Sequence, residues 1–311
     1  MTAIGRFTWP ALPGASLTAT AEAARVAGFA HIEPVPDLTG TDSPDSTRAG
    51  CADRLRAAQA ILPVPALAAL TDLVSGDDSL RAARVAAISR AIWLAADCGV
   101  PVVTVYAGPD TWDPAAPMIP RDLPFGVAWG RFSTAFDTLL TIAAEHGVRL
   151  AFKPVLGTLA HDAGSTLRVL AAWRGHPAFA LTFDPSHFAV HGDDLGQVIA
   201  DWGPLLANVH LKDGFGRPGV EGVDFHFPPV GTGQVDWGRV ASALTAARYR
   251  GPMSLLDESA LAARQDAAGV MALAQRARGD IGGLLGEMAV AGGTGSHGPE
   301  AGAAAPAQAD R

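Results

Sequence analysis

The sequence predicts one (β/α)8 barrel. Short apolar, β-branched runs alternate with longer Ala-rich helical patterns, and the alternation repeats eight times. The chain has 311 residues, enough for one barrel of ordinary size and a tail, and 49% of them are hydrophobic. A doubly wound open sheet is the structural alternative, but no G-x-G-x-x-G follows the first strand.

The predicted strands are Arg6–Trp9, Ala30–Pro34, Leu62–Leu67, Val102–Tyr106, Arg149–Lys153, Ala178–Asp184, Ala207–Lys212 and Met253–Leu256. Between them, apolar residues recur at i, i+3, i+4, as in Leu80–Asp97, Phe132–Glu145 and Val235–Ala247. Ser16, Asp77 with Asp78, and Asp236 stand where helix N-caps belong. Gly28, Gly99 and Gly147 follow helices as C-cap glycines. A last helix is predicted from about Ala260 to Glu287, so the barrel domain is residues 1–289. Residues 290–311 are rich in Gly, Ala and Pro, which predicts a disordered tail.

Composition narrows the function classes. No apolar run reaches the roughly 18 residues of a membrane span, and no signal peptide is read at the N-terminus, so a cytoplasmic protein is expected. Net charge is -8 and basic patches with interleaved aromatics are missing, which argues against nucleic acid. A small-molecule substrate is expected, and self-association is left open. Cys51 and Cys98 are too few for a disulfide framework and read as small buried hydrophobes. Of 23 basic residues only Lys153 and Lys212 are lysines. Lysines kept against such an arginine bias suggest chemistry that arginine does not supply.

In a barrel the C-terminal strand ends share one bowl. The expected catalytic residues there are Glu33, Lys153, Asp184, His187 and His210. Asp184 ends FALTFD and His210 ends ANVH, where a polar group needs a partner to offset desolvation. His187 lies three residues after Asp184. Tyr106, Lys212, Asp213, His226, Trp9 and Phe225 are expected to contact substrate. Phe215 and Phe227, with Trp112 and Phe188, are further aromatics for the rim, and Arg217 is available for an anion. The other histidines, among them His31, His161 and His191, read as structural or surface groups.

FDPSHFAVHGDDLGQVIADWGPLLANVHLKDG resembles the D-x-x-H … H-[VL]-K-D signature of the sugar phosphate isomerase/epimerase family, the xylose isomerase-like barrels. GFAHIEP, GTGQVDWGRV and ARYRGPMSLLD are similar to three further segments of that family, so the resemblance spans roughly residues 5–285. It implies a divalent metal held by a Glu, an Asp, a His and a second Glu, the glutamates also serving as acid and base. Carried over, the Asp is Asp184 and the His is His210. The first Glu falls on Lys153 and the second on Leu256. Asp257 has the wrong strand parity, and Glu258 has the right parity only if the strand continues.

A protonated lysine about 4 Å from a divalent ion would cost roughly 8 kcal/mol, at about 4 kcal/mol per unit pair. The expectation is therefore no cofactor, with the Lys153 ammonium taking part of the metal's electrostatic role. The expected activity is a metal-independent isomerase or lyase acting on a hydroxy-carbonyl compound. Three alternatives stay open. One is a metal-dependent epimerase holding Mn, Mg, Zn or Co through Asp184, His187 and His210, with His226 or Glu33. Another is a non-catalytic binding barrel. The third is a phosphodiesterase-type nuclease, echoed by Asp224-Phe225-His226.

Overall fold

Eight parallel strands carry the fold in this computed structural model, which describes residues 4–8 (backbone only), 16–36, 47–110, 113, 115–220, 224–256, 272 and 275–283. The first four repeats are β1 (Ile4–Thr8), α1 (Leu17–Val26), β2 (Ile32–Pro34), α2 (Arg48–Gln59), β3 (Ala66–Ala68), α3 (Asp78–Asp97), β4 (Val102–Val105) and α4 (Phe125–Glu145). Then come β5 (Arg149–Phe152), α5 (Ala163–Trp173), β6 (Phe179–Phe183), the short α6 (Pro185–Ala189), α7 (Leu195–Trp202) and β7 (Leu206–Leu211). A small hairpin, β8 (Phe215–Gly216) with β9 (Phe225–His226), precedes α8 (Trp237–Ala246) and β10 (Met253–Leu255). Trp9, Trp112, the predicted last helix over most of its length, and residues 290–311 lie outside the described residues.

The strand order β2-β1-β10-β7-β6-β5-β4-β3 is that of a barrel opened on paper between β2 and β3. Ile32 N donates to Pro63 O at 3.1 Å across that seam. The eight strands match the predicted eight, with shifted edges: β3 falls at Ala66–Ala68, after Pro63 and Pro65 have denied the preceding stretch its donors. The hairpin was not predicted, because two-residue strands carry no periodic signal.

The helix-start signals act as expected. Ser16, Asp77 and Asp236 accept from the backbone N–H groups of Ala19, Leu80 and Arg239 at 3.1, 2.8 and 2.8 Å. Gly28, Gly99 and Gly147 take positive φ of 82°, 68° and 67°. Neither cysteine forms a disulfide. No helix among the described residues is long and apolar enough to cross a membrane.

The main core lies between strands and helices, with Phe132, Phe136, Phe152, Trp173 and Phe179 packed edge to face. Phe188 belongs to this outer core, against Phe183 and Trp202, and not to the rim where it was expected. Inside the barrel, alternation stacks the side chains in layers. Ala66, Val102, Ala151, Ala180 and Ala207 form the lower layer. A register shift between Leu181 and Thr182 skips Ala207, so Thr182 pairs with Asn208. Asn208, His210 and Lys212 then climb one face of β7 toward the C-terminal mouth.

Candidate active site

Above the alanine layer the barrel interior turns polar. Thr104 and Thr182 hydroxyls meet at 3.0 Å, and Asn208 Nδ2 donates to both oxygens of Glu33 at 3.0 Å each. His210 Nε2 lies 3.0 Å from Glu33 Oε1. Ser254 joins this belt, bonded to Glu33 and to His31 Nε2 at 3.2 Å. Burial would push the Glu33 carboxyl up, but His210, Asn208 and Ser254 outweigh it and hold the group at about 2. Glu33 is therefore an ionised anchor for His210. Asn208, Thr104, Thr182 and Ser254 were not singled out from the sequence. The signal was present in the period of two, counting back from His210, Tyr106 and Asp184.

One layer higher, Lys153 Nζ sits 2.8 Å from Asp184 Oδ2, with side chains 3% and 0% exposed. Backbone pairing explains the meeting. Lys153 N donates to Val105 O at 2.7 Å, continuing β5, and Asp184 ends the neighbouring β6. Asp184 also caps α6, taking Ser186 N at 3.1 Å and Ser186 Oγ at 2.7 Å on Oδ1. Burial opposes its ionisation, but Lys153, His187 and Lys212 hold the carboxyl well below the usual range. Oδ2 faces both the Lys153 ammonium and His187 Nε2, contacts that act more by charge than by well-aligned hydrogen bonding.

His187 is fully enclosed. Its Nδ1 accepts from Leu156 N at 3.2 Å, which leaves the proton on Nε2, 3.4 Å from Asp184 Oδ2. Burial pushes this imidazole down to about 4, helped by Lys212 and Lys153 and opposed by Asp184. With both ring nitrogens engaged, neutral His187 orients Asp184, an arrangement that does not suit the proton-transfer role expected of it. Lys212 Nζ lies 3.4 Å from the Phe227 ring centre, and Phe227 packs edge-on against His187 and Phe225.

The substrate-contact expectations divide. Lys212 joins the buried cluster, and Tyr106 is buried at the end of β4, its hydroxyl pushed up by burial and by Asp110 and Asp72. Asp213 does not present its carboxylate to a ligand. It is 0% exposed, and its oxygens accept from Gly214 N, Val235 N, Gly231 N, Gly233 N and Trp237 Nε1 at 2.9–3.1 Å. It ties down both ends of the loop that carries the hairpin. His226 is exposed with its ring tilted against Phe215, and Asp224 is exposed beside it, so neither enters the buried cluster. Phe225 is half on the surface and reaches the site only through Phe227.

These residues do not fit a divalent cation. Among the described residues no group of three or more His, Cys, Asp or Glu side chains could hold a metal. Asp184 faces an ammonium, His187 spends Nε2 on Asp184, and His210 turns Nε2 to Glu33. Leu256, at the position where the resemblance implies a glutamate, is buried against Ala68. Asp257 and Glu258 lie outside the described residues.

A family model described as xylose isomerase-like TIM barrel matches residues 21–273. The chain belongs to this family. Among solved structures, an L-ribulose 3-epimerase is similar over 96% of this chain and 100% of its own, at 24% identity and a TM-score of 0.70. The 3-keto-D-glucoside 4-epimerase YcjR from E. coli in apo form is similar over 90% and 100%, at 16% identity and a TM-score of 0.69. The IolI protein with a bound zinc atom is similar over 90% and 98%, again at 16% identity and 0.69. No curated protein is similar enough in sequence to be matched. Within the family, this chain carries a Lys–Asp pair on β5 and β6.

Proposed function

We propose that this barrel is an isomerase or epimerase of small hydroxy-carbonyl compounds that moves a proton beside the carbonyl without a divalent metal. The observation that carries the reading is the buried Lys153–Asp184 pair at 2.8 Å. Family membership and the sugar epimerases among its structural neighbours support the reaction class.

In this reading the carbonyl oxygen faces Lys153 Nζ and a substrate hydroxyl donates to Asp184 Oδ2. A base removes the proton from the carbon next to the carbonyl. The C–H electron pair becomes the C=C bond of an enediolate, and the carbonyl oxygen takes the negative charge. The ammonium stabilises that oxyanion by charge-assisted hydrogen bonding. An ion-paired ammonium is a donor and not a nucleophile, so this role is preferred to a Schiff base. His210, held by Glu33, carries the proton. Protonation of the same carbon from its opposite face by a water molecule, with the proton held on His210 passed to the hydroxide left behind, gives the epimer. Delivery of the His210 proton to the former carbonyl carbon, with the hydroxyl proton shifted, gives the isomer. Loss of a β leaving group from the same enolate would be the lyase outcome.

The test is incubation with a panel of ketoses and aldoses in heavy water, with and without a chelator. Deuterium incorporation that survives chelation and is lost in Lys153→Met is expected. Full turnover in Lys153→Met, or turnover that needs stoichiometric added metal, overturns the proposal.

A further inference from the structure

One side of the barrel mouth is apolar. Leu256, Ala68, Val35 and Leu70 pack together there, apart from the main core. The ladder fixes which way they point. Leu256 N donates to Leu211 O at 3.0 Å and Ala69 N to Thr104 O at 2.8 Å, so the β10 and β3 ladders continue past their nominal ends. Leu256 then shares the inner face of Ser254, which bonds His31 and Glu33. Ala68 and Leu70 share the face of Ala66, an inner-layer residue, and Val35 shares that of Glu33. Lys153 and Asp184 meet just past the ends of β5 and β6, with Lys212 just past the end of β7 acting on the same carboxylate.

A ligand spanning this mouth meets charge on one side and hydrocarbon on the other. A hydroxyl placed against Leu256 would lose water and find no acceptor in the patch. A methyl or methylene group there would only leave water. Resting on the reaction class proposed above, we infer that the substrate is an amphipathic, deoxygenated hydroxy-carbonyl compound. Its oxygenated end meets Lys153 and Asp184, and its deoxy end rests on Val35, Leu70 and the edge of Leu256, with buried Ala68 behind them. Leu256 is thus a specificity-determining residue at a position where the family resemblance implies a metal ligand.

Two matched pairs of probes test this: L-ribulose and D-psicose, each against the analogue whose terminal hydroxyl is replaced by hydrogen. Binding is read by calorimetry and turnover by kcat/KM, for the wild type, Leu256→Asn and Ala68→Ser, with thermal melts confirming folding. The deoxy analogues are expected to be favoured by about tenfold or more in the wild type, the size of discrimination an apolar pocket achieves. That ratio is expected to fall to within about threefold in whichever variant folds. Parent sugars that bind and react as well as their deoxy analogues, no binding of either, or an unchanged ratio in a folded variant overturns the inference. Deoxy analogues that bind selectively but are not turned over support the patch assignment while counting against the reaction proposed above.

Discussion

Lys153 Nζ and Asp184 Oδ2 lie 2.8 Å apart in a place almost sealed from water. Neither charge is tolerable alone there. Removing one partner of a buried pair typically costs about 3–5 kcal/mol, because the other is left uncompensated. Lys153→Met is expected to lose about that much stability. The double variant Lys153→Met/Asp184→Asn, which removes the stranded charge and keeps the Oδ1 cap, is expected to recover most of it. Denaturant titration of the four members of the cycle measures the coupling.

For catalysis, the same substitution removes an aimed donor from the developing oxyanion. Losses of about 100- to 1000-fold in kcat are usual for such donors. Lys153→Arg is expected to retain the charge but lose most of the rate, since a planar guanidinium cannot occupy the site of a compact ammonium. Steady-state kinetics on whichever ketose is turned over provides the check.

His187 makes stability depend on pH. Its folded value is depressed from 6.5 to about 4, so the unfolded chain takes up a proton first as pH falls. The contribution is fully present above 6.5 and is lost as pH falls to about 4. Its size is of the order of 3 kcal/mol, at 1.36 kcal/mol per pKa unit. Unfolding free energies at pH 7 and near pH 4 should differ by roughly that amount, and His187→Gln should flatten the difference.

Glu33 acts in a lower window. Its value falls from 4.5 to about 2, so its stabilisation is present above 4.5 and disappears as pH drops toward 2. Glu33→Gln is expected to remove that acid limb. It also strips His210 of its carboxylate, and turnover at neutral pH should fall with it. A variant with full activity and an unchanged acid limb would contradict both roles.

Asp213 satisfies five donors of the loop that carries Phe227. Asparagine in its place would turn an amide N–H2 toward donors that need acceptors. Asp213→Asn is expected to cost about 2 kcal/mol or more and to expose residues 214–237 to proteolysis. Limited digestion with mass spectrometry would locate the cleavage.

Metal preference can be rebuilt. Lys153→Glu with Leu256→Glu restores the two carboxylates that the family resemblance implies at these positions. The double variant is expected to bind one divalent ion, with Mn2+ as the probe in calorimetry, while the natural sequence binds none stoichiometrically. Stoichiometric metal in the natural protein would show that Lys153 does not take the metal's place.

Much of this was readable in the sequence, for identifiable reasons. Strand alternation and capping residues are local, so the eight repeats and the caps at Ser16, Asp77 and Asp236 could be read directly. Lys153 and Lys212, the only lysines of the chain, both proved to be buried at the barrel mouth. The polar belt of Thr104, Thr182, Asn208 and Ser254 was missed because each residue sits singly in an apolar strand, and only ring closure makes them neighbours. Asp213 shows the same limit of a local reading. Beside Lys212 in sequence it looked like a ligand contact, but its five donors come from residues up to 24 positions later.

By itself, then, the sequence determined the repeat, the family signature and the substitution of Lys153 and Leu256 at two positions of an implied metal set. Tertiary structure alone decided who pairs with whom. Glu33 lies 177 positions from His210 and meets it across the barrel, while Asp184 is taken by Lys153 from the adjacent strand. The physical reason is that composition and periodicity fix which face a side chain occupies. Register, the bulge at Leu181/Thr182 and closure between β2 and β3 fix its height and neighbours, and those settle which buried charges compensate one another.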